Sequence, residues 1–195
     1  MSDPLVQTLL YSLCAYLLGS LPSAVLVCRL MGLSDPRQQG SGNPGASNVL
    51  RIGNKKAAFF TLCGDVGKGW CAVAIPGWLE ASVIAVQCCA IAVLVGHLFP
   101  VFAGFQGGKG VATAIGICLA LSIPLGLVQM SLWSVLISIG RIASLASIGA
   151  ALISPLLAWL IEPALLLPVS ALGLLLIFTH RHNITRLVQG KETRF

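Results

Sequence analysis

The chain has 195 residues, of which 56% are hydrophobic and only 9% charged, with a formal net charge of +6 and a mean hydropathy of +0.92. A soluble domain carries about 25% charged residues, so this composition excludes a globular surface covered for water. It points to an all-α, polytopic integral membrane helix bundle, one domain over residues 1–195 set in the lipid bilayer, with no nucleic-acid partner and no protein partner specified.

A crossing helix needs about 20 apolar residues. The first apolar run, 5–27, lacks the basic stretch of a secretory leader and is read as a span. The next candidates are 58–79, 81–101, 110–122, 125–140, 143–161 and 164–180. Within 110–140 the run is interrupted by Ser122, Ile123 and Pro124, so one kinked helix and two short ones compete. Lys and Arg collect on the cytoplasmic side of membrane proteins. Two helices put Arg29, Arg37, Arg51, Lys55, Lys56, Lys109, Arg141, Arg181, Arg186, Lys191 and Arg194 on one face, leaving Asp3, Glu80 and Glu162 on the other. One helix would place Lys109 and Arg141 on opposite faces. The expected topology therefore has about seven transmembrane helices, the N-terminus outside and the C-terminus cytoplasmic.

Three polar clusters fall on the cytoplasmic side. The first, "GSGNPGASNVLR", spans residues 40–51 and contains no acidic residue. Gly40, Gly42, Asn43 and Gly45 supply turn chemistry that can aim successive N–H groups at one point, an anion-binding nest. Ser41, Ser47 and Asn48 add side-chain donors, and Arg51 offers a planar fork suited to phosphate or carboxylate. The competing reading is a plain connector rich in turn formers.

The second cluster, "CGDVGKGW" at 63–70, lies inside the second span. Asp65 and Lys68 are three residues apart and can meet on a helix. Charges at that depth are functional candidates, or else a self-neutralising structural pair. Gly67 and Gly69 suggest close approach of a ligand or another backbone.

The third, "GHLFPVFAGFQGGKGVATA" at 96–114, has His97 at a helix end and Gly107, Gly108, Lys109 and Gly110 leading into the next helix, an arrangement that exposes amides to an anion. It is not a nucleotide P-loop, because Ala103 replaces the first glycine and Gly110 stands where Ser or Thr is needed. His97 can be structural or catalytic, and Lys109 can be a topology anchor. A weaker group at 178–190 holds His180, Arg181, His182 and Asn183, read either as a basic anchor or as part of the site. Ser144 and Ser147 can face the same cavity or serve helix packing. The seven cysteines lie in apolar runs without metal spacing, so neither a metal site nor a cofactor is expected.

"GSGNPGASNVLR", "DVGKG" and "GHLFPVFAGFQGGKGVAT" resemble the three signature motifs of the bacterial acyl-phosphate:glycerol-3-phosphate acyltransferases, the PlsY family. "SLASI" at 144–148 and "HRHNITRL" at 180–187 are also similar. Gln106 departs from a frequent Lys, and Ser47 stands for a frequent Thr. The resemblance implies an inner-membrane enzyme with its active site on the cytoplasmic side, opening phospholipid synthesis. It would move a fatty acyl group from acyl phosphate to the 1-hydroxyl of sn-glycerol 3-phosphate, without metal, giving 1-acylglycerol 3-phosphate and phosphate. Arg51 and Lys109 would clamp the glycerol phosphate, helped by Ser41, His180 and Asn183. Lys68 and the glycine nests would hold the acyl phosphate, and either His97 or a substrate phosphate oxygen would be the base. Soluble glycerolipid acyltransferases pair a His with an Asp four residues on, but Val101 occupies that position after His97, so that His–Asp mechanism is expected to be excluded. The alternative class is a membrane transporter of phosphate-bearing small molecules, which would place its sites near the midplane on broken helices.

Overall fold

The computed structural model describes residues 3–194, and those residues form ten α-helices and three short 3-10 turns, with no strand among them. The helices are α1 Pro4–Gly19, α2 Ser23–Leu30, α3 Ala46–Arg51, α4 Lys55–Trp78 and α5 Val83–Leu98 in the first half. They continue as α6 Val111–Leu121, α7 Ile123–Gly140, α8 Ala143–Ile161, α9 Leu166–Thr179 and α10 Arg181–Val188. Local chemistry sets several starts. Asp3 accepts from the Leu5 amide at 2.9 Å ahead of Pro4, and Asn54 accepts from the Ala57 amide at 2.8 Å.

Four of the described helical segments are long and apolar enough to cross a membrane, and six qualify when each of two bent pairs is taken as one span. One bent pair is α1 and α2, which meet at 43°, so the first run is a broken helix rather than the single one expected over 5–27. The break falls where Pro22 cannot continue the helical ladder. The other is the segment 163–179 with α10, at 59°.

Between 110 and 140 the chain makes two helices. A side chain at Gly126 would strike the Leu119 backbone only 7 positions earlier, so the chain reverses at Ser122 instead of kinking. With 11 residues, α6 is shorter than a full crossing.

Apolar tails give no hydrophobic drive between helices in lipid, so close packing through small residues holds such bundles together. Gly19 lies against the Val93 carbonyl while Gly96 lies against that of Tyr16, an inverse register that makes α1 and α5 antiparallel. Gly69 against Thr113 and Gly116 against Val66 do the same for α4 and α6. The core joins Val73, Val93, Leu94, Leu98, Ile117 and Leu172. Outside, Ile84, Ile139, Leu167 and Leu174 stand open, the inverted pattern of a chain solvated by lipid.

Candidate active site

The helix ends that carry the basic residues close around one cavity of about 490 Å³. Its first wall is the loop before α3. Asn48 is buried, and both amide hydrogens are committed to the backbone, to Pro36 O at 2.8 Å and Gln39 O at 3.0 Å. Its Oδ1 accepts from the Ser41 amide at 2.8 Å. Asn48 is thus the peg that shapes the loop, not the side-chain donor to a ligand expected of it. Gly40 makes room for that peg, since its φ is +60° and any Cβ would collide with Asn48 Oδ1. Ser41, Asn43, Gly45 and Ser47 line the cavity, with Arg51 at the end of α3. Gly42 shares the loop, with φ +72°, but is outside the lining.

The second wall is Lys109, just before α6. Its Nζ donates to Asn183 Oδ1 at 2.6 Å, and Thr179 Oγ1 donates to its carbonyl at 3.1 Å. Burial pushes the Lys109 ammonium down to about 8; Arg186 and Arg51 act in the same direction, and Glu192 opposes them. No side chain caps α6, whose first residues Val111 and Ala112 line the cavity with Gly110. Its first-turn amides therefore lack intrahelical partners and face an anion-compatible space.

The third wall comes from α8 to α10. His180 Nδ1 lies 2.8 Å from Leu176 O; a carbonyl only accepts, so that nitrogen carries the proton and Nε2 is left with a lone pair. Ser144, Asn183, Arg186 and Glu192 complete the wall. Ser144 donates to Glu192 Oε1 at 2.7 Å, Asn183 Nδ2 to the same oxygen at 2.6 Å, and Arg186 Nε to Oε2 at 2.7 Å. These bonds hold the Glu192 carboxyl below its usual range although burial pushes it up.

At the cavity floor is a buried cluster from three helices. Asp65 and Lys68 meet on α4 at 3.0 Å, as their spacing predicts. Lys68 Nζ also donates at 2.9 Å to the Leu21 carbonyl at the break between α1 and α2, which accepts from the Ser23 amide as well, at 3.0 Å. Lys68 lies outside the main cavity and borders a small concavity shared with Asp65, His97, Gly107 and Gly108. Asp65 Oδ1 is 3.5 Å from His97 Nδ1, and Thr113 Oγ1 is 3.2 Å from the same nitrogen. A His–Asp pair therefore exists through space, although the motif that would encode it along the chain is absent. Gly108 admits this arrangement, because a Cβ there would strike His97 Nε2. Gly69 faces neither cavity: its missing side chain serves the α4–α6 contact, not a ligand.

Val111, Ile115, Trp133 and Ser147 border both this cavity and a narrow crevice that continues past Ala114, Cys118, Ala151 and Leu172. Trp133 Nε1 donates to Ser147 Oγ at 3.0 Å at that junction. One polar chamber thus opens into one apolar slot.

Asp65 as the partner of His97, together with Thr113, Arg186 and Glu192, was not among the residues that the sequence pointed to as a site. Thr113 follows Gly110 at one helical turn, a spacing that could have flagged it. Glu192 follows α10 with no local pattern to single it out.

Residues 9–190 match the family model described as glycerol-3-phosphate acyltransferase. A glycerol-3-phosphate acyltransferase of Shewanella baltica (strain OS155) is 48% identical over 196 residues, covering 98% of this chain and 95% of that protein. One from Burkholderia ambifaria is 49% identical over 193 residues, covering 97% and 91%. The crystal structure of PlsY (YgiH), an integral membrane glycerol 3-phosphate acyltransferase in its glycerol 3-phosphate form, superposes with a TM-score of 0.89 at 36% identity, covering 96% of this chain and 95% of that one. Its lysophosphatidic acid form gives 0.88 at 35% identity. With the family model matched over residues 9–190 and relatives nearly half identical along almost the whole chain, the chain belongs to the glycerol-3-phosphate acyltransferase family, whose members include this integral membrane enzyme.

Proposed function

We propose that this protein transfers a fatty acyl group from acyl phosphate to the 1-hydroxyl of sn-glycerol 3-phosphate, yielding 1-acylglycerol 3-phosphate and inorganic phosphate without a metal. The observation that carries this reading is the single chamber joining Arg51, Lys109 and the α6 N-terminus to an apolar slot. Two phosphate-bearing substrates repel each other in the open; fixed cations and amides neutralise that repulsion and orient the reacting atoms. Arg51, Lys109, Ser41, His180 and Asn183 hold the glycerol phosphate. The loop of Gly40, Gly42, Asn43, Gly45 and Ser47, with Gly107, Gly108 and Gly110, cradles the acyl phosphate. Lys68 acts from behind that cradle, and the acyl chain leaves the chamber along the apolar side chains of Val111, Ile115 and Trp133 at the mouth of the slot.

The 1-hydroxyl oxygen attacks the acyl carbonyl carbon, the bond from that carbon to the phosphate oxygen breaks, and phosphate leaves. Two acceptors compete for the hydroxyl proton. His97 is one, with Asp65 and Thr113 at Nδ1 fixing the tautomer that leaves Nε2 free to accept. A phosphate oxygen of the substrate is the other. His97→Ala separates them: a loss of kcat of at least about a hundredfold assigns the proton to the imidazole, and retention of most activity assigns it to phosphate.

The chain enters this scheme with about seven membrane passes, the N-terminus outside and the chamber on the cytoplasmic side of the bacterial inner membrane. Arg51, Lys109 and Arg186 gather around one cavity, which supports that orientation. Purified protein in detergent, given acyl phosphate and labelled glycerol 3-phosphate, is expected to form lysophosphatidic acid. Uptake into proteoliposomes without product would instead identify a carrier.

A further inference from the structure

A carboxylate sits among the donors of a chamber that otherwise favours anions. After α10 the chain turns at Gly190, φ +66°, and the Lys191 amide donates to Arg186 O at 2.8 Å. Lys191, Thr193 and Arg194 are exposed, whereas the Glu192 side chain is only 10% exposed. That one side chain docks the segment. Its two oxygens take the protons of Ser144, Asn183 and Arg186, and Asn183 turns its remaining oxygen to Lys109.

An incoming phosphate wants the same protons. It cannot share them with a fixed carboxylate, because like charges at contact distance repel and each bonded proton is already used. We propose that Glu192 is an internal stand-in for the substrate phosphate: it keeps Ser144, Asn183 and Arg186 assembled while the site is empty, and substrate displaces it and frees residues 191–194. This rests on the reading above that a phosphate-bearing substrate enters the chamber. The gain is an anion site whose donors are never left unpaired. The corresponding loss is affinity, since part of the binding energy is spent in expelling the tail.

Limited trypsin digestion of the whole purified chain tests this directly. Lys191 is exposed, and cleavage after it removes residues 192–195, a change readable by mass. Saturating glycerol 3-phosphate, and more weakly inorganic phosphate, should accelerate that cleavage about threefold or more over a sodium chloride control of equal ionic strength. Glu192→Gln should cleave fast without ligand, and its KM for glycerol 3-phosphate should fall about threefold, with the change carried by KM rather than kcat. Protection or no change on adding either ligand, or a raised KM in Glu192→Gln, would overturn the proposal and make Glu192 a fixed member of the site. The proteolysis arm reads the tail whether or not turnover occurs. An inactive wild type whose tail responds to phosphate contradicts the assigned reaction alone, and an active wild type with an indifferent tail contradicts the stand-in alone.

Discussion

Lys68 and Lys109 border two concavities that share Asp65 and His97, and their surroundings differ. Lys68 is buried between a carboxylate of its own helix and the Leu21 carbonyl at the break after α1. Lys109 has a neutral amide as its hydrogen-bond partner, and Arg51 and Arg186 push on it with charge of its own sign. The first lysine is neutralised within the protein and acts on the fold. The second is left with a demand for negative charge, met by Glu192 nearby in this structure and, in the proposed reaction, by substrate phosphate.

The contrast breaks most forcefully at the buried pair. Lys68→Met leaves the buried Asp65 without its cationic partner and removes one of the two hydrogen bonds to the Leu21 carbonyl, and removing one partner of a buried pair typically costs about 3–5 kcal/mol. The expected outcome is a large drop in Tm in detergent, with loss of activity following loss of fold. A variant that kept its Tm and lost only activity would move Lys68 to the substrate.

At the cavity wall the outcome is reversed. Arg51→Ala and Lys109→Ala should each lower kcat/KM for glycerol 3-phosphate by about tenfold to a hundredfold, or about 1.4–2.7 kcal/mol, while Tm moves little. Acidity sharpens the same point with a smaller effect. The lysine form that binds phosphate is the protonated one, and Lys109 loses its proton near pH 8 rather than near its ordinary value of 10.5. The Lys109 contribution to glycerol 3-phosphate affinity should therefore be full below about pH 7 and fall as pH rises through about 8. Lys109→Arg, which stays charged throughout, should lose that alkaline decline in KM even if it binds less well.

Much of this was legible along the chain. The apolar runs fixed the class, and the interruption at Ser122 to Pro124 marked a true reversal because proline starts α7 and cannot extend α6. Gly-rich, acid-free stretches around Arg51 and Lys109 marked the cavity walls, since few structural loops need so many donors. The break at Pro22 was hidden inside a continuous apolar run, where composition alone cannot distinguish a bent span from a straight one. Asn48 was misread for a related reason: its donors are visible in sequence, whereas the carbonyls of Pro36 and Gln39 that consume them are brought near only by the loop's fold. The pairing of Asp65 with His97, and the arrival of Glu192, join residues far apart in the chain. No local spacing rule encodes such contacts.

The most direct test of the central claim uses acyl phosphate and labelled glycerol 3-phosphate with the purified wild type and Lys109→Ala side by side. The wild type should release lysophosphatidic acid and inorganic phosphate in equal amounts, and the variant should retain no more than about a tenth of the wild-type kcat/KM. Absence of lysophosphatidic acid from the wild type, or an unimpaired Lys109→Ala, would contradict it.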